Sequence, residues 1–278
     1  MSEGRLGGGA LAWRYAMLGT VALAVLVPLV ATLLGGFKEL GELRANPFGL
    51  PERWRWENHA GILGTLRYWR MMGNSLLIAG STTLLTLVVA SMAAFVFSHL
   101  RFAGQRFLMQ YFLIGLLFPA ATAILPLFIQ VRDLGLLDTH AGVVLPAVAF
   151  SLGSAIVLFR GFFRQLPAEL LDAALMDGAS YVQFFWRVVL PLSRPILATV
   201  GVITFVQAWN GYLLPLILLN SDTLYPWPLG IMVYQGEFGT DWHLVLAYVT
   251  LTLAPVVLLF LAAQRHIVAG LTAGAVKG

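Results

Sequence analysis

Residues Leu166 to Pro191 read LPAELLDAALMDGASYVQFFWRVVLP, and the reading of this stretch decides the reading of the rest. Long apolar runs fill the second half of the chain, yet here Glu169, Asp172, Asp177 and Arg187 interrupt them. Charges at this density do not settle in hydrocarbon, so the segment belongs at a membrane surface between spans. Its local chemistry predicts two short helices. Pro167 suits a first helical turn, where its missing N–H costs nothing, and Glu169 puts negative charge at the positive end of the helix dipole. Leu171, Ala174, Leu175 and Gly178 recur at i, i+3, i+4 and i+7, one face of a helix, with Glu169, Asp172 and Met176 on another. Gly178 adopts the left-handed stop conformation cheaply. Ser180 with Gln183 makes a capping box for the second helix, which Pro191 ends. An amphipathic helix, a glycine joint and a second helix at a membrane surface predict a docking knob; the plainer reading is an amphipathic loop between two spans.

Working outward, the chain has 278 residues, 59% of them hydrophobic and 11% charged, with a mean hydropathy of +0.83. Soluble domains carry roughly 25% charged residues, so the composition is that of an integral membrane protein. Cysteine is absent, which excludes a disulfide framework and cysteine-based metal sites or nucleophiles. The net charge of +4 reads as a topology signal and not as a nucleic-acid surface, because no basic cluster is interleaved with aromatics.

Met1 to Arg14 is a glycine-rich tail whose Gly7-Gly8-Gly9 lacks the Gly-Lys-Ser/Thr of a phosphate loop. Tyr15 to Phe37 is a first apolar run, longer than a signal-peptide core, and is read as a retained anchor. Lys38 to Gly73 forms a long polar loop whose Trp54, Trp56, Tyr68 and Trp69 suit a membrane interface or a partner. Further spans are expected at Asn74–His99, Phe107–Gln130 (kinked by Pro119 and Pro126), Ala141–Phe163, Ile196–Leu219 and His243–Gln264. The fold class is therefore all-α, a polytopic membrane protein of six transmembrane helices in a single domain. Residues 1–73 hold the tail, the first span and the long loop; residues 74–278 hold a five-helix core that carries the 166–191 loop.

Arg5, Arg14, Arg101, Arg106, Arg160, Arg164, Arg187, Arg194, Arg265 and Lys277 fall on one side. The other side has Arg132 and the discordant long loop (Lys38, Arg44, Arg53, Arg55, Arg67, Arg70), while Asn220–Trp242 has no basic residue. Short loops decide orientation, which places both termini and the docking knob in the cytoplasm. No acid or base lies well inside spans two to six, where ion-coupled carriers keep relays, and no Walker motif occurs. The five histidines sit at span ends or in loops without an H-E-x-x-H, so a hydrolase site is not expected. Gln207 and Asn210, with Trp209 between them and Tyr212 beyond, are the polar group that stands out in a span. They line a hydrated path for a polar solute, or they hold helices together by hydrogen bonds.

Asp172-Ala173-Ala174, three residues, Gly178, nine residues, Val188, one residue and Leu190-Pro191 resembles the E-A-A-x3-G-x9-I-x-L-P loop of the membrane subunits of ATP-binding-cassette (ABC) importers. Every spacing matches; Asp for Glu at 172 and Val for Ile at 188 are the departures. FVQAWNGYLLPL in the fifth span and the tail QRHIVAGLTAGAVKG resemble the carbohydrate branch, specifically its maltose-type second permease, and the likeness spans about Asn74 to Gly278. The resemblance implies a type I importer permease of the cytoplasmic (inner) membrane that works by alternating access. It implies an ATPase-coupling surface at Glu169, Asp172, Ala173, Ala174, Asp177, Gly178, Leu190 and Pro191. It further implies a second, different permease, two copies of a cytoplasmic ABC ATPase and an extracytoplasmic sugar-binding protein as partners. ATP and Mg would sit on the ATPase subunits, with no cofactor on this chain. The loop with Asp222, Tyr225, Trp227, Tyr234 and Glu237 would meet the binding protein, although its rings also suit an interfacial anchor. The residues from Gly270 to Gly278 would enter the ATPase dimer interface, or form a frayed tail. An ABC permease for a non-sugar solute and a self-contained carrier or channel are the alternatives.

Overall fold

A computed structural model of the chain describes residues 8–117, 119–236 and 239–275. Glu237 and residues 276–278 of the tail lie outside the described residues, as does Arg5. The helices are α1 (Gly8–Gly35), α2 (Leu40–Ala45), α3 (Trp56–Leu63), α4 (Leu66–His99), α5 (Gln105–Leu117), α6 (Ile124–Asp133) and α7 (His140–Phe163). They continue with α8 (Glu169–Met176), α9 (Tyr181–Phe184), α10 (Leu190–Leu192), α11 (Arg194–Trp209), α12 (Leu213–Leu218), α13 (Trp227–Gly230) and α14 (Trp242–Ala275). Strands β1 (Gln235–Gly236) and β2 (Gly239–Thr240) form a short antiparallel pair with Gln235 opposite Thr240. Among the described residues four helices are long and apolar enough to cross a membrane, or up to six if each of two bent pairs makes one span.

The chain divides into two compact units, Met1–Leu66 with Ile231–Ala254, and Arg67–Gly230 with Pro255–Gly278. In the first, the apolar side chains of α1 face outward, as a helix surrounded by lipid requires. Gly36 lies so close to α14 that a Cβ there would stand 2.8 Å from the Ala247 Cα. Beyond it Phe37 packs among Trp54, Trp56 and His59, with the His59 ring stacked at 4.2 Å. The Asn58 amide donates to the Gly36 and Lys38 carbonyls, and the buried Lys38 ammonium donates to the Asn46 carbonyl at 2.6 Å. Lys38–Gly73 is thus no open loop: it holds α2, α3 and the first turns of α4, with Tyr68 buried.

In the second unit α7 is the central helix and packs against α5, α11 and α12. Its start is capped by the Thr139 hydroxyl, which accepts from the Gly142 N–H at 3.0 Å. One core joins Ala90, Ala94, Phe95 and Phe97 of α4 to Ile156, Phe159 and Phe163 of α7 and to Phe184, Phe185 and Val189 beyond α8. A second joins Ile78, Val131, Val143, Val148 and Leu218. Gly153 lets α5 and α7 touch; a Cβ there would come within 2.8 Å of Leu116 and 3.1 Å of the Phe112 carbonyl. Small residues at a crossing are how membrane helices approach closely.

Three sequence expectations change. The third span is two helices, α5 and α6, bent by 95°; Pro119 precedes a 3₁₀ turn (Ala120–Ala123), whereas Pro126 sits in the first turn of α6 and causes no kink there. The fifth span breaks at Asn210–Tyr212 between α11 and α12. The sixth continues as helix to Ala275, beyond the expected end at Gln264.

Candidate functional site

α8 begins at Glu169, two residues after Pro167, so the proline precedes the helix and does not occupy its first turn. Glu169 and Asp172 supply the acidic first turn that complements the dipole. At the other end Gly178 has φ +80, its N–H donates to the Leu175 carbonyl at 3.0 Å and the Ala179 N–H to the Ala174 carbonyl at 2.9 Å. These are the paired bonds of a Schellman stop. Two residues later Ser180 and Gln183 form the full capping box: the Gln183 N–H donates to Ser180 Oγ at 3.2 Å and the Ser180 N–H to Gln183 Oε1 at 2.9 Å.

The segment that follows is helical from Tyr181 to Leu192 but widens to a π-helix over Phe185–Val189, just before Pro191. Proline cannot donate to the carbonyl four residues back, and a wider turn accommodates that loss. Pro191 therefore lies inside a helix, and the axis turns by 79° at Ser193, where the buried hydroxyl donates to the Val189 carbonyl at 2.6 Å. Leu190 is half-buried in the core and Pro191 is exposed.

Only Leu171 and Ala174 of α8 pack inward, against the core that also receives Leu166, Val188 and Leu190. Leu175 and Gly178, expected on that face, are exposed instead. The outward surface consists of Glu169, Leu170, Asp172, Ala173, Met176 and Asp177, with Met176 the most prominent at 89% exposed. An apolar ridge with carboxylates on its rim thus ends in a Schellman stop, with the capping box of α9 two residues beyond.

The expected path residues separate. α11 stops after Trp209, and the Asn210 side chain turns back to donate to the Val206 carbonyl at 2.9 Å. Trp209 is 1% exposed; its ring stacks on Phe205, and its carbonyl accepts from Trp227 Nε1 at 2.7 Å. Gln207 and Tyr212, by contrast, line one cavity of about 270 Å³ together with Thr82, Phe150 and Ser151. Thr82 Oγ1 is buried there without a hydrogen-bond partner. Sequence reasoning missed Thr82, Phe150 and Ser151: a hydroxyl in an apolar run commonly bonds its own helix, as Ser151 does to the Ala147 carbonyl at 2.8 Å, and so gives no distinct signal.

The loop after α12 is fastened by several bonds. Asp138, itself at φ +56, accepts from the Asn220 and Ser221 N–H groups at 2.8 Å each and from the Ser221 hydroxyl. Those donors hold its carboxyl below the usual carboxylate range, the Ser221 hydroxyl most strongly. Asn74 donates to the Thr223 and Tyr225 carbonyls, and the Trp227 N–H donates to Ser75 Oγ at 2.7 Å. Asp222 is exposed, 3.6 Å from Arg67, and the half-buried Tyr225 donates its hydroxyl to the Asn220 carbonyl. Trp227, expected at a contact surface, is buried because its indole N–H closes the end of α11. Tyr234 is half-buried beside Tyr248.

The family model described as binding-protein-dependent transport system inner membrane component matches residues 64–272. The chain is 34% identical over 262 residues to a diacetylchitobiose uptake system permease protein of Streptomyces coelicolor, covering 94% of this chain and 87% of that one. It is 33% identical over 262 residues to an arabinooligosaccharides transport system permease protein of Halalkalibacterium halodurans, covering 93% of each. An sn-glycerol-3-phosphate transport system permease protein of Salmonella typhimurium is 39% identical over 218 residues, 78% of this chain and 76% of that one. Among solved structures, a bacterial ABC transporter involved in the import of the acidic polysaccharide alginate has the same fold, with a TM-score of 0.81 at 23% identity, covering 96% of this chain and 99% of that one. A capped knob on a bundle of apolar helices and a match over most of the chain lead to one conclusion: this chain belongs to the binding-protein-dependent transport system inner membrane component family.

Proposed function

We propose that the chain is the pore-forming permease subunit of an ATP-driven, binding-protein-dependent importer of oligosaccharides or related sugars, and that it works by alternating access. The observation that carries this reading is α8: a short helix stopped by Gly178, followed by a capping box, with Met176 and Ala173 outward and Glu169, Asp172 and Asp177 around them. Such a surface suits insertion into a groove on a cytoplasmic ATPase subunit, with the flexible methionine as the buried anchor and the acids as rim contacts. Closure of an ATPase dimer would pull on this knob, and the path through the second unit would open to the other side. Both termini and α8 lie in the cytoplasm in this reading, on the strength of the basic residues in the short loops.

The cavity with Gln207, Ser151, Phe150 and Tyr212 combines amide and hydroxyl groups with two aromatic rings, a set that meets both the hydroxyls and the apolar face of a pyranose. The two oligosaccharide permeases among the relatives support sugar as the cargo class. The glycerol-phosphate relative supports a second reading, a phosphorylated polyol. The complete assembly comprises this chain, a different permease, two ATPase copies and an extracytoplasmic binding protein.

The deciding experiment is a gentle-detergent purification from the native membrane, followed by intact-complex mass spectrometry and uptake in liposomes. Recovery with one other permease and two ATPase copies, and ATP-dependent uptake of a labelled oligosaccharide, is the expected result. A lone chain that transports without ATP would replace this reading with that of a self-contained carrier. Uptake of glycerol phosphate but no oligosaccharide would select the second cargo.

A further inference from the structure

A cavity of about 640 Å³ lies where α4 and α7 end, α5 begins and α8 crosses. Arg101, Arg106, Arg160 and Arg164 line it, and Asp172 is the single carboxylate among the lining residues. Among the described residues none of the four arginines is ion-paired. Arg160 in the last turn of α7 and Arg164, the residue that caps its end, are one helical turn apart, so their charges repel along the same face. Arg160 Nε is buried and has no hydrogen-bond partner. Four guanidinium groups gathered around a hollow, one of them with a buried unsatisfied donor, are stable when an anion completes them, and their planar forks match phosphate oxygens.

The walls distinguish the source of that phosphate. Phe97, Leu100, Met109 and Leu171 form the apolar part of the lining, and the Gln105 amide pins this corner by donating to the Phe97 and Leu100 carbonyls at 3.0 Å each. Outside the lining, α5 also carries Phe107 and Tyr111, exposed at 71% and 66%. A soluble phosphate has no use for an apolar lip; a phospholipid lays its chains against it while its headgroup enters the basic end. We propose that this cavity binds the phosphate headgroup of an anionic membrane lipid beside the docking helix. Because Leu171 and Asp172 of α8 form one wall, the lipid also braces the knob in its outward position. Assignment to the inner leaflet rests on the orientation proposed above; binding itself does not.

The test uses the complete complex, delipidated in mild detergent and titrated with phosphatidylglycerol or phosphatidylcholine, with native mass spectrometry as the readout. Phosphatidylglycerol should be retained in preference to phosphatidylcholine. The double variant Arg160→Gln/Arg164→Gln should bind it about thirtyfold more weakly, from roughly a fivefold contribution per basic side chain near an anionic headgroup. Arg160→Lys/Arg164→Lys, which keeps the charge and loses the planar fork, should fall between wild type and the glutamine pair, and Arg101→Gln, on the α4–α5 loop, should lose about fivefold even if the double variant fails to fold. Equal retention of the two lipids, or unchanged affinity in the glutamine variants, overturns the proposal. Full displacement by inorganic phosphate would assign the cavity to a soluble anion and overturn the lipid. Loss of ATPase subunits from the glutamine variants with lipid binding intact would assign the arginines to an acidic protein partner, again against the proposal. Lipid retention does not depend on cargo, so a complex that binds the lipid but moves no sugar would refute the transport reading alone.

Discussion

At Gly178 a Cβ would meet no atom within 4 Å, so nothing but the backbone forbids a larger residue there; at φ +80 the left-handed region costs an L-residue about 1–2 kcal/mol. Gly178→Leu is expected to loosen the end of α8 by that amount, to lower sugar-stimulated ATP hydrolysis and uptake together, and to leave the thermal unfolding of the membrane helices near that of the wild type. Paired uptake and unfolding measurements check this; unchanged uptake would remove Gly178 from the coupling surface. Asp138 is the opposite kind of residue, with φ +56 but a carboxylate saturated with donors. Its folded pKa is depressed, so the stability it contributes is present above the unfolded value of about 3.9 and is lost as the pH falls through the folded one. Asp138→Asn, which tolerates the left-handed backbone, should be less stable than wild type at neutral pH, with the gap closing below about pH 4. Asp138→Ala should be worse than Asp138→Asn at neutral pH in the same melting series.

At the scale of elements, two contacts hold the second unit's helices in place. Trp227→Phe keeps an aromatic ring, though a smaller one, and removes the donor that satisfies the Trp209 carbonyl at the end of α11, an expected loss of about 1–3 kcal/mol for the unsatisfied buried acceptor alone. Gly153→Val sets a side chain against Leu116 and the Phe112 carbonyl and should cost about 1–3 kcal/mol by separating α5 from α7. Detergent melting curves of both variants check these values, and a Gly153→Val protein as stable as wild type would show that α5 shifts freely. The stop of α8 and the start of α9 are legible in the sequence because each signal is local: Gly178, and Ser180 with Gln183, act within a few residues. The break in the fifth span is not, since α11 is closed by an indole 18 residues further on and by an asparagine that folds back on its own helix. Periodicity likewise predicts Leu175 on the inner face of α8, but the inward stripe is only as wide as the neighbouring core, and that core stops at Leu171 and Ala174.

For the whole molecule, hydropathy locates the apolar runs well, because crossing a bilayer needs little beyond length and apolar character. It does not reveal that Tyr68 and Trp69, in a polar and aromatic stretch, already belong to α4, nor that Thr82, Phe150 and Ser151 share a cavity with Gln207 and Tyr212. Those placements depend on how α4, α7 and α11 pack, a property of three helices and not of one. The same packing bears on energy coupling. Among the described residues the lining of that cavity has no Asp, Glu, Lys or Arg, so it offers no charged side chain as a proton relay or a sodium ligand. In the mechanism proposed above, work on the cargo arrives through moving parts, and α8 is the part that receives it. In liposomes holding the full assembly with ATP clamped inside, collapse of the proton and sodium gradients is expected to leave oligosaccharide uptake unchanged. Gln207→Ala should raise the KM for uptake while preserving the subunit stoichiometry and the basal ATPase rate, because the amide faces the cavity and the knob lies elsewhere. A gradient-dependent wild type would place the driving force inside the spans, and a Gln207→Ala complex with unaltered uptake kinetics would take the cavity off the path of the cargo.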